Sequence, residues 1–150
     1  MINIIGGKYK KINIEVPNKK VRPTSSLKRE AIFSILESRA IKKSSEPYKN
    51  KCFIDLFAGS GSLGLEAISR GAAFVYFYEN AIDVIKILKN NCNKICKKNE
   101  FNISNENINL IKNYNIDFAI SGIFIDPPYN YNYYNDILDN ISNNNILNEN

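Results

Sequence analysis

Cys52-Phe53-Ile54-Asp55-Leu56-Phe57-Ala58-Gly59-Ser60-Gly61-Ser62-Leu63-Gly64-Leu65-Glu66-Ala67-Ile68-Ser69-Arg70-Gly71 decides the fold of this chain. The first six residues are apolar except for Asp55 and read as a short buried strand. Three glycines mark the turn that follows, and the helical stretch after them closes at Gly71. Glycines at a strand-to-helix turn let the backbone approach a ligand and expose amides at the helix N-terminus. Ala73-Phe74-Val75-Tyr76-Phe77-Tyr78 then gives a second strand, ending at Glu79 and Asn80. A carboxylate there, about twenty residues after the first glycine, is placed to accept the hydroxyls of an adenosine ribose. Strand, glycine turn, helix and strand require a parallel sheet with right-handed crossovers.

The same letters satisfy Gly-x-Gly-x-x-Gly, so a nicotinamide or flavin dinucleotide competes for this turn. Two features favour S-adenosylmethionine. Asp55 lies inside the first strand, where an acid can sit near that cofactor's ammonium group. Further on, the apolar strand Gly122-Ile123-Phe124-Ile125 ends in Asp126-Pro127-Pro128-Tyr129. Two consecutive prolines cannot continue a central strand, so they form a rigid corner at a strand's carboxyl end, where open α/β sheets bind ligands. Asp126 and the Pro127 carbonyl are acceptors beside the flat face of Tyr129. That set suits an exocyclic amine on a nucleobase, and a dehydrogenase has no special need of it.

Taken together, these residues resemble the bacterial 16S ribosomal RNA guanine-N2 methyltransferase family, over residues 1 to about 141. Gly6-Gly7-Lys8-Tyr9-Lys10 is similar to the family's opening hairpin. Val21-Arg22-Pro23-Thr24, with Arg29-Glu30-Ala31-Ile32-Phe33-Ser34-Ile35-Leu36, resembles its Arg-Pro-Thr helix, and residues 55–67 resemble its cofactor motif. The N-terminal signature is the most specific part, because many amino methyltransferases share the other two. The resemblance implies a Rossmann-like methyltransferase fold with strand order 3-2-1-4-5-7-6, methyl transfer from S-adenosylmethionine to guanine N2, and a small-subunit substrate, finished or in assembly. It assigns catalysis to Asp126, Pro127, Pro128 and Tyr129. Cofactor binding falls to Thr24, Asp55, Phe57, Ala58, Gly59, Ser60, Gly61, Leu63, Gly64, Glu79, Asn80 and Asn115. An adenine-N6 DNA methyltransferase and a catalytically degraded RNA-binding remnant are the alternatives, and the Arg-Pro-Thr helix argues against the DNA enzyme.

Charge divides the chain. Residues 1–51 hold 13 Lys or Arg and 4 Asp or Glu, whereas residues 52–150 hold 7 and 11. A basic N-terminal extension, residues 1–50, beside a catalytic core, residues 51–150, of one α/β domain suits a grip on phosphates. Lys8, Lys10, Lys11, Lys19, Lys20, Arg22 and Arg29 are the candidate RNA contacts. Three cysteines and no histidine argue against both a disulfide scaffold and a zinc site, Cys92 and Cys96 included. No apolar run is long enough to span a bilayer or form a signal peptide, which points to a cytoplasmic protein. The 24 asparagines and 24 isoleucines suggest a codon bias that lowers the weight of any single asparagine.

Periodicity places a hairpin at residues 2–5 and 11–16. A helix follows from Pro23-Thr24, with Leu27, Ala31, Ile32, Ile35 and Leu36 inward. Ala81 through Lys97 reads as a helix burying Val84, Ile85, Leu88 and Cys92 or Ile95. Asn107–Ile111 is the expected third strand and Gly122–Ile125 the fourth, joined by only about ten residues, near the lower limit for a crossover. No acid follows that third strand at once, so either adenine binding is expected to be weaker or Asn115 is expected to stand in near the adenine. Tyr134, Ile137, Leu138 and Ile141 mark a last helix, and Ser142 through Asn150 reads as a frayed tail. The resemblance puts the start of a fifth strand around Asn145-Ile146-Leu147, about where the chain stops, so strand four is expected to be an exposed edge open to self-association.

Overall fold

A computed structural model describes residues 1–17, 24–106, 119–128 and 130–147 of the chain. A small antiparallel hairpin comes first, β1 (Ile2–Asn3) against β2 (Asn13–Ile14), and leads to helix α1 (Ser26–Lys42). The alternating part follows: β3 (Cys52–Asp55), α2 (Ser62–Ser69), β4 (Phe74–Tyr78), α3 (Ile82–Ile95), β5 (Phe101–Ser104), β6 (Ile120–Phe124) and α4 (Tyr134–Asn143). The main sheet is parallel, in the order β5-β4-β3-β6. Counted from β3, that is 3-2-1-4, the first four places of the expected order.

Period-two alternation divides the side chains between two cores. Phe53, Val75 and Phe77 face the layer of the hairpin, α1, α2 and α3, packing with Ile4, Ile14, Phe33, Ile68, Leu88 and Cys92. Cys52, Ile54, Tyr76 and Tyr78 face α4 through Ile137 and Ile141. In β6 the register slips: Cys52 faces Ile120 but Phe53 faces Gly122. The extra residue turns Ile120 and Phe124 to opposite cores. A Cβ at Gly122 would come within 2.9 Å of the Phe53 ring, so glycine lets the strands close there.

Four expectations change. The strand beside β4 is Phe101–Ser104, and the expected stretch, residues 107–111, lies outside the described residues. The link expected between the third and fourth strands lies mostly outside the described residues as well. Helix α1 starts at Ser26, with Ser25 as N-cap accepting from the Lys28 amide. It buries Arg29, Phe33 and Ala40, with Ile32 and Leu36 half-buried, while Leu27 and Ile35 are exposed. The face is rotated because a charged residue, Arg29, belongs to it. On α4, Ile137 and Ile141 are buried as expected, but Tyr134 and Leu138 are exposed. Finally, the tail is not frayed over residues 142–147. Ile146 is buried, and Leu147 forms a parallel bridge to Ile120 that covers the start of the β6 edge.

Candidate functional site

The glycine turn links β3 to α2 at the carboxyl end of the sheet. Gly59 and Gly61 take φ of 53° and 81°, which is left-handed backbone that a side chain would strain. The Gly59 amide donates to Glu79 Oε2 at 2.9 Å, and the Ala81 amide donates to Glu79 Oε1 at 2.9 Å. Glu79 thus ties the turn to the end of β4, and each oxygen keeps a lone pair for a further donor. The Asn91 side-chain amide donates to the Ser60 carbonyl and to the Glu15 carbonyl, both at 2.9 Å, pinning the turn to α3 and to the segment after β2. Asn91 is 2 % exposed, and its role was hidden among the many asparagines.

Asp55 sits beneath the turn, 1 % exposed, accepting from the Gly64 amide at 2.9 Å. A strand residue thus satisfies one of the open amides of helix α2. Burial pushes its carboxyl up to about 7, with Asp126 and Glu79 adding to the shift and the Gly64 amide opposing it. Three carboxylates therefore surround the turn, from the ends of β3, β4 and β6. Gly64 lies against the sheet, where a Cβ would meet Val75 Cγ1 at 2.9 Å and the Phe77 ring more closely.

At the second corner, the Leu56 amide donates to the Phe124 carbonyl at 3.0 Å, extending the β3–β6 pairing to the edge of the Pro-Pro step. Asp126 is exposed, and Pro127 is half-buried. The Tyr131 amide donates to the Pro128 carbonyl at 3.0 Å, turning the chain toward α4. Thr24 lies at this corner, its hydroxyl donating to Asp126 Oδ2. The structure therefore joins Thr24, one of the candidate cofactor residues, to the Asp-Pro-Pro corner. Tyr129 and Asn115 lie outside the described residues. Because β5 ends at Ser104, the residues after it are Asn105 and Glu106, so an acid does follow this strand.

The remaining candidates separate by burial. Ala58 and Leu63 are buried, with Leu63 in the core of the α2 layer, while Phe57 is half-buried and Asn80 exposed. Lys8, Lys10 and Lys11 are exposed on the hairpin, with Lys8 Nζ 3.7 Å from Glu100 Oε1 and 4.7 Å from the Tyr9 ring centroid. Lys19, Lys20 and Arg22 lie outside the described residues. Arg29 is corrected: it is 0 % exposed, beyond the reach of a phosphate, with Nη1 3.6 Å from Glu66 Oε2 and Nη2 donating to the Asn3 carbonyl at 3.0 Å. Burial lowers its basicity, and Glu66 opposes that shift.

Glu66 is the residue that sequence reading passed over. It is fully buried on α2, inside the cofactor motif, and accepts from the amides of Ile5 at 2.9 Å and Gly6 at 2.7 Å and from Arg70 Nε at 3.0 Å. Ser69 adds to the join, donating to the Gly6 carbonyl and accepting from the Tyr9 amide. A lone charge among Leu65, Ala67 and Ile68 was the available signal. The hairpin and the glycine-turn helix therefore form one hydrogen-bonded unit.

The site is anionic around a turn that takes close backbone approach. Glu79 and Asp126, joined by Asp55 when it is ionised, repel the pyrophosphate of a dinucleotide and favour a cation, as the sulfonium and ammonium of S-adenosylmethionine provide. The donor set therefore fits that cofactor and disfavours the competitor. Among the described residues, no group of three or more His, Cys, Asp or Glu side chains is arranged to hold a metal. No helix among them is long and apolar enough to cross a membrane.

Comparison with known proteins agrees with this fold. The protein family described as "Conserved hypothetical protein 95" matches residues 2–150. A relative from Buchnera aphidicola subsp. Baizongia pistaciae, named ribosomal RNA small subunit methyltransferase D, is 38% identical over 129 residues, covering 85% of this chain and 61% of its own length. A protein of the same name from Haemophilus influenzae is 30% identical over 154 residues, covering 99% and 75%. The solved structure of a putative methyltransferase from Escherichia coli superposes with a TM-score of 0.79 at 27% identity, over 99% of this chain and 75% of that one. The chain spans about three-fifths to three-quarters of the length of these relatives.

Proposed function

The chain belongs to the family described as conserved hypothetical protein 95, and from that premise we propose that it is an S-adenosylmethionine-dependent methyltransferase acting on the exocyclic N2 of a guanine in small-subunit ribosomal RNA. The observation that carries this reading is the meeting of an anionic glycine turn with an Asp-Pro-Pro corner at one end of a parallel sheet. Such an enzyme works in the cytoplasm, on the small subunit or an assembly intermediate.

When bound, S-adenosylmethionine supplies an electrophilic methyl group on its sulfonium. Gly59, Ser60 and Gly61 would fit their backbone around the cofactor, Glu79 would accept hydrogen bonds from the ribose hydroxyls, and Asp55 would add negative potential from beneath the turn when it is ionised. Asp126 and the Pro127 carbonyl accept hydrogen bonds from the target amine. That orients the amine and keeps its lone pair available for in-line attack. Tyr129 stacks on the guanine, which must be splayed from its loop to arrive. The proton lost from nitrogen leaves on the Asp126 side. Lys8, Lys10 and Lys11 hold the RNA backbone through its charge.

The test is transfer of labelled methyl from S-adenosylmethionine to small ribosomal subunits lacking the modification, with Asp126→Ala in parallel. Incorporation mapped to one guanine N2, lost in the variant while cofactor affinity is kept, is the expected result. A folded protein without transfer, beside an active full-length relative, refutes the activity and leaves RNA binding as the function. Methyl on adenine N6 of duplex DNA would instead identify the alternative enzyme.

A further inference from the structure

Four of the six residues from Tyr129 to Tyr134 are tyrosines, although the whole chain has only nine. Tyr131 stands edge-on to Phe57, the last residue before the glycine turn loop begins at Ala58, with ring centroids 5.0 Å apart. Tyr133 and Tyr134 each stand edge-on to Tyr131, at 5.7 Å. The lower pair is half-buried against the α4 core, and the upper pair is 56% and 47% exposed. The result is a set of flat rings, held from below, at the end of the sheet that carries the Asp126 corner.

Two further observations define what these rings meet. Tyr133 is the N-cap of α4 and makes no side-chain cap bond, at a position where Ser, Thr, Asp or Asn stabilises a helix. An aromatic ring there is kept at the expense of the helix. In addition, no Lys or Arg occurs after Lys112, and Asp136 and Asp139 follow the rings, so this part of the chain supplies no cation for a phosphate. Stacking on bases needs no cation, because every base offers a π face.

We propose that Tyr133 and Tyr134, supported by Tyr131 and Phe57, form a stacking platform for unpaired RNA bases beside the target guanine. This rests on the reading that RNA is the substrate. The lysines of the hairpin and the tyrosines of the platform then divide the work. The former hold phosphates, and the latter select single-stranded over paired RNA at the mouth of the site.

The experiment compares the affinity of the full chain for a single-stranded RNA decamer and for a blunt RNA duplex of equal length, over a range of salt. Tyr133→Ala/Tyr134→Ala is expected to weaken single-strand binding about tenfold or more, with the salt slope unchanged. Tyr133→Phe/Tyr134→Phe should bind like the parent. Tyr133→Leu/Tyr134→Leu, which keeps the apolar bulk, should lose affinity like the alanine variant. Lysine-to-alanine changes at Lys8, Lys10 and Lys11 should lower the slope instead. Parent-like single-strand binding by a folded leucine variant overturns the platform, as does a parent that binds no single strand. Loss of self-association in sedimentation, with RNA affinity intact, would assign the rings to a protein contact and overturn it equally. If methyl transfer fails while the tyrosine variants still lose RNA binding, the enzymatic reading falls and the platform stands.

Discussion

The Thr24 hydroxyl donates to the carboxylate of Asp126, joining the segment before α1 to the corner after β6 across 102 residues of sequence. In the proposed reaction, that bond leaves Asp126 Oδ1 for the incoming amine. Thr24→Val should lower kcat for methyl transfer about tenfold, the scale of a lost hydrogen bond to a charged group. Cofactor affinity should stay the same, and Thr24→Ser should restore the rate. Weakened cofactor binding in Thr24→Val would return Thr24 to the cofactor side of the site.

Asp55 makes stability depend on pH. Its folded-state value of about 7 lies above the ordinary 3.8, so between these values the folded protein keeps a proton that the unfolded chain has lost. The group costs nothing below about pH 4, destabilises progressively as pH rises to 7, and exerts its full cost above that, on the order of 4 kcal/mol. Asp55→Asn should therefore be more stable than the parent at pH 8 and nearly equal to it at pH 4. Urea unfolding at both values decides this; a variant that loses stability at pH 8 would show that the ionised carboxylate's bonds outweigh its burial.

Breaking the Glu66 cluster should be severe. Glu66→Ala leaves Arg29 buried without its counter-charge and two hairpin amides without an acceptor. A loss of about 3–5 kcal/mol is expected from chemical denaturation. Hydrogen exchange at Ile5 and Gly6 should accelerate more than at β3, because the hairpin is the part released.

Gly64→Ala places a methyl against Val75 and Phe77, forcing α2 away from the sheet. Overpacking of this kind costs about 1–3 kcal/mol. If the turn binds cofactor as proposed, S-adenosylmethionine affinity should fall in the same variant, as calorimetry would show.

The parallel core was legible in the sequence because β3, β4 and α2 combine apolar runs with glycine punctuation, signals that do not depend on distant contacts. The third strand was not. Phe-Asn-Ile-Ser is short, carries asparagine on one face, and is followed by a second Asn-Ile alternation that matches a strand equally well. The face of α1 was misread because its centre is Arg29, a residue whose burial makes sense only once Glu66 is known to oppose it. Thr24 and Asp126 were each singled out from the sequence, but a contact over such a separation leaves no local pattern. The tail was half legible: asparagine-rich composition reads as frayed, whereas the family resemblance puts the start of a fifth strand around Asn145-Ile146-Leu147, where Leu147 does bridge Ile120.

Glu66 is placed where the hairpin meets the glycine-turn helix. Its helix is packaged with the cofactor turn, yet its carboxylate closes the backbone of a hairpin some sixty residues earlier. An arm attached in this way is not an interchangeable accessory. A chimera that grafts this hairpin onto another methyltransferase core would have to bring along residues 66, 69 and 70 of the recipient helix, and a drift at any of them would be felt first in the arm.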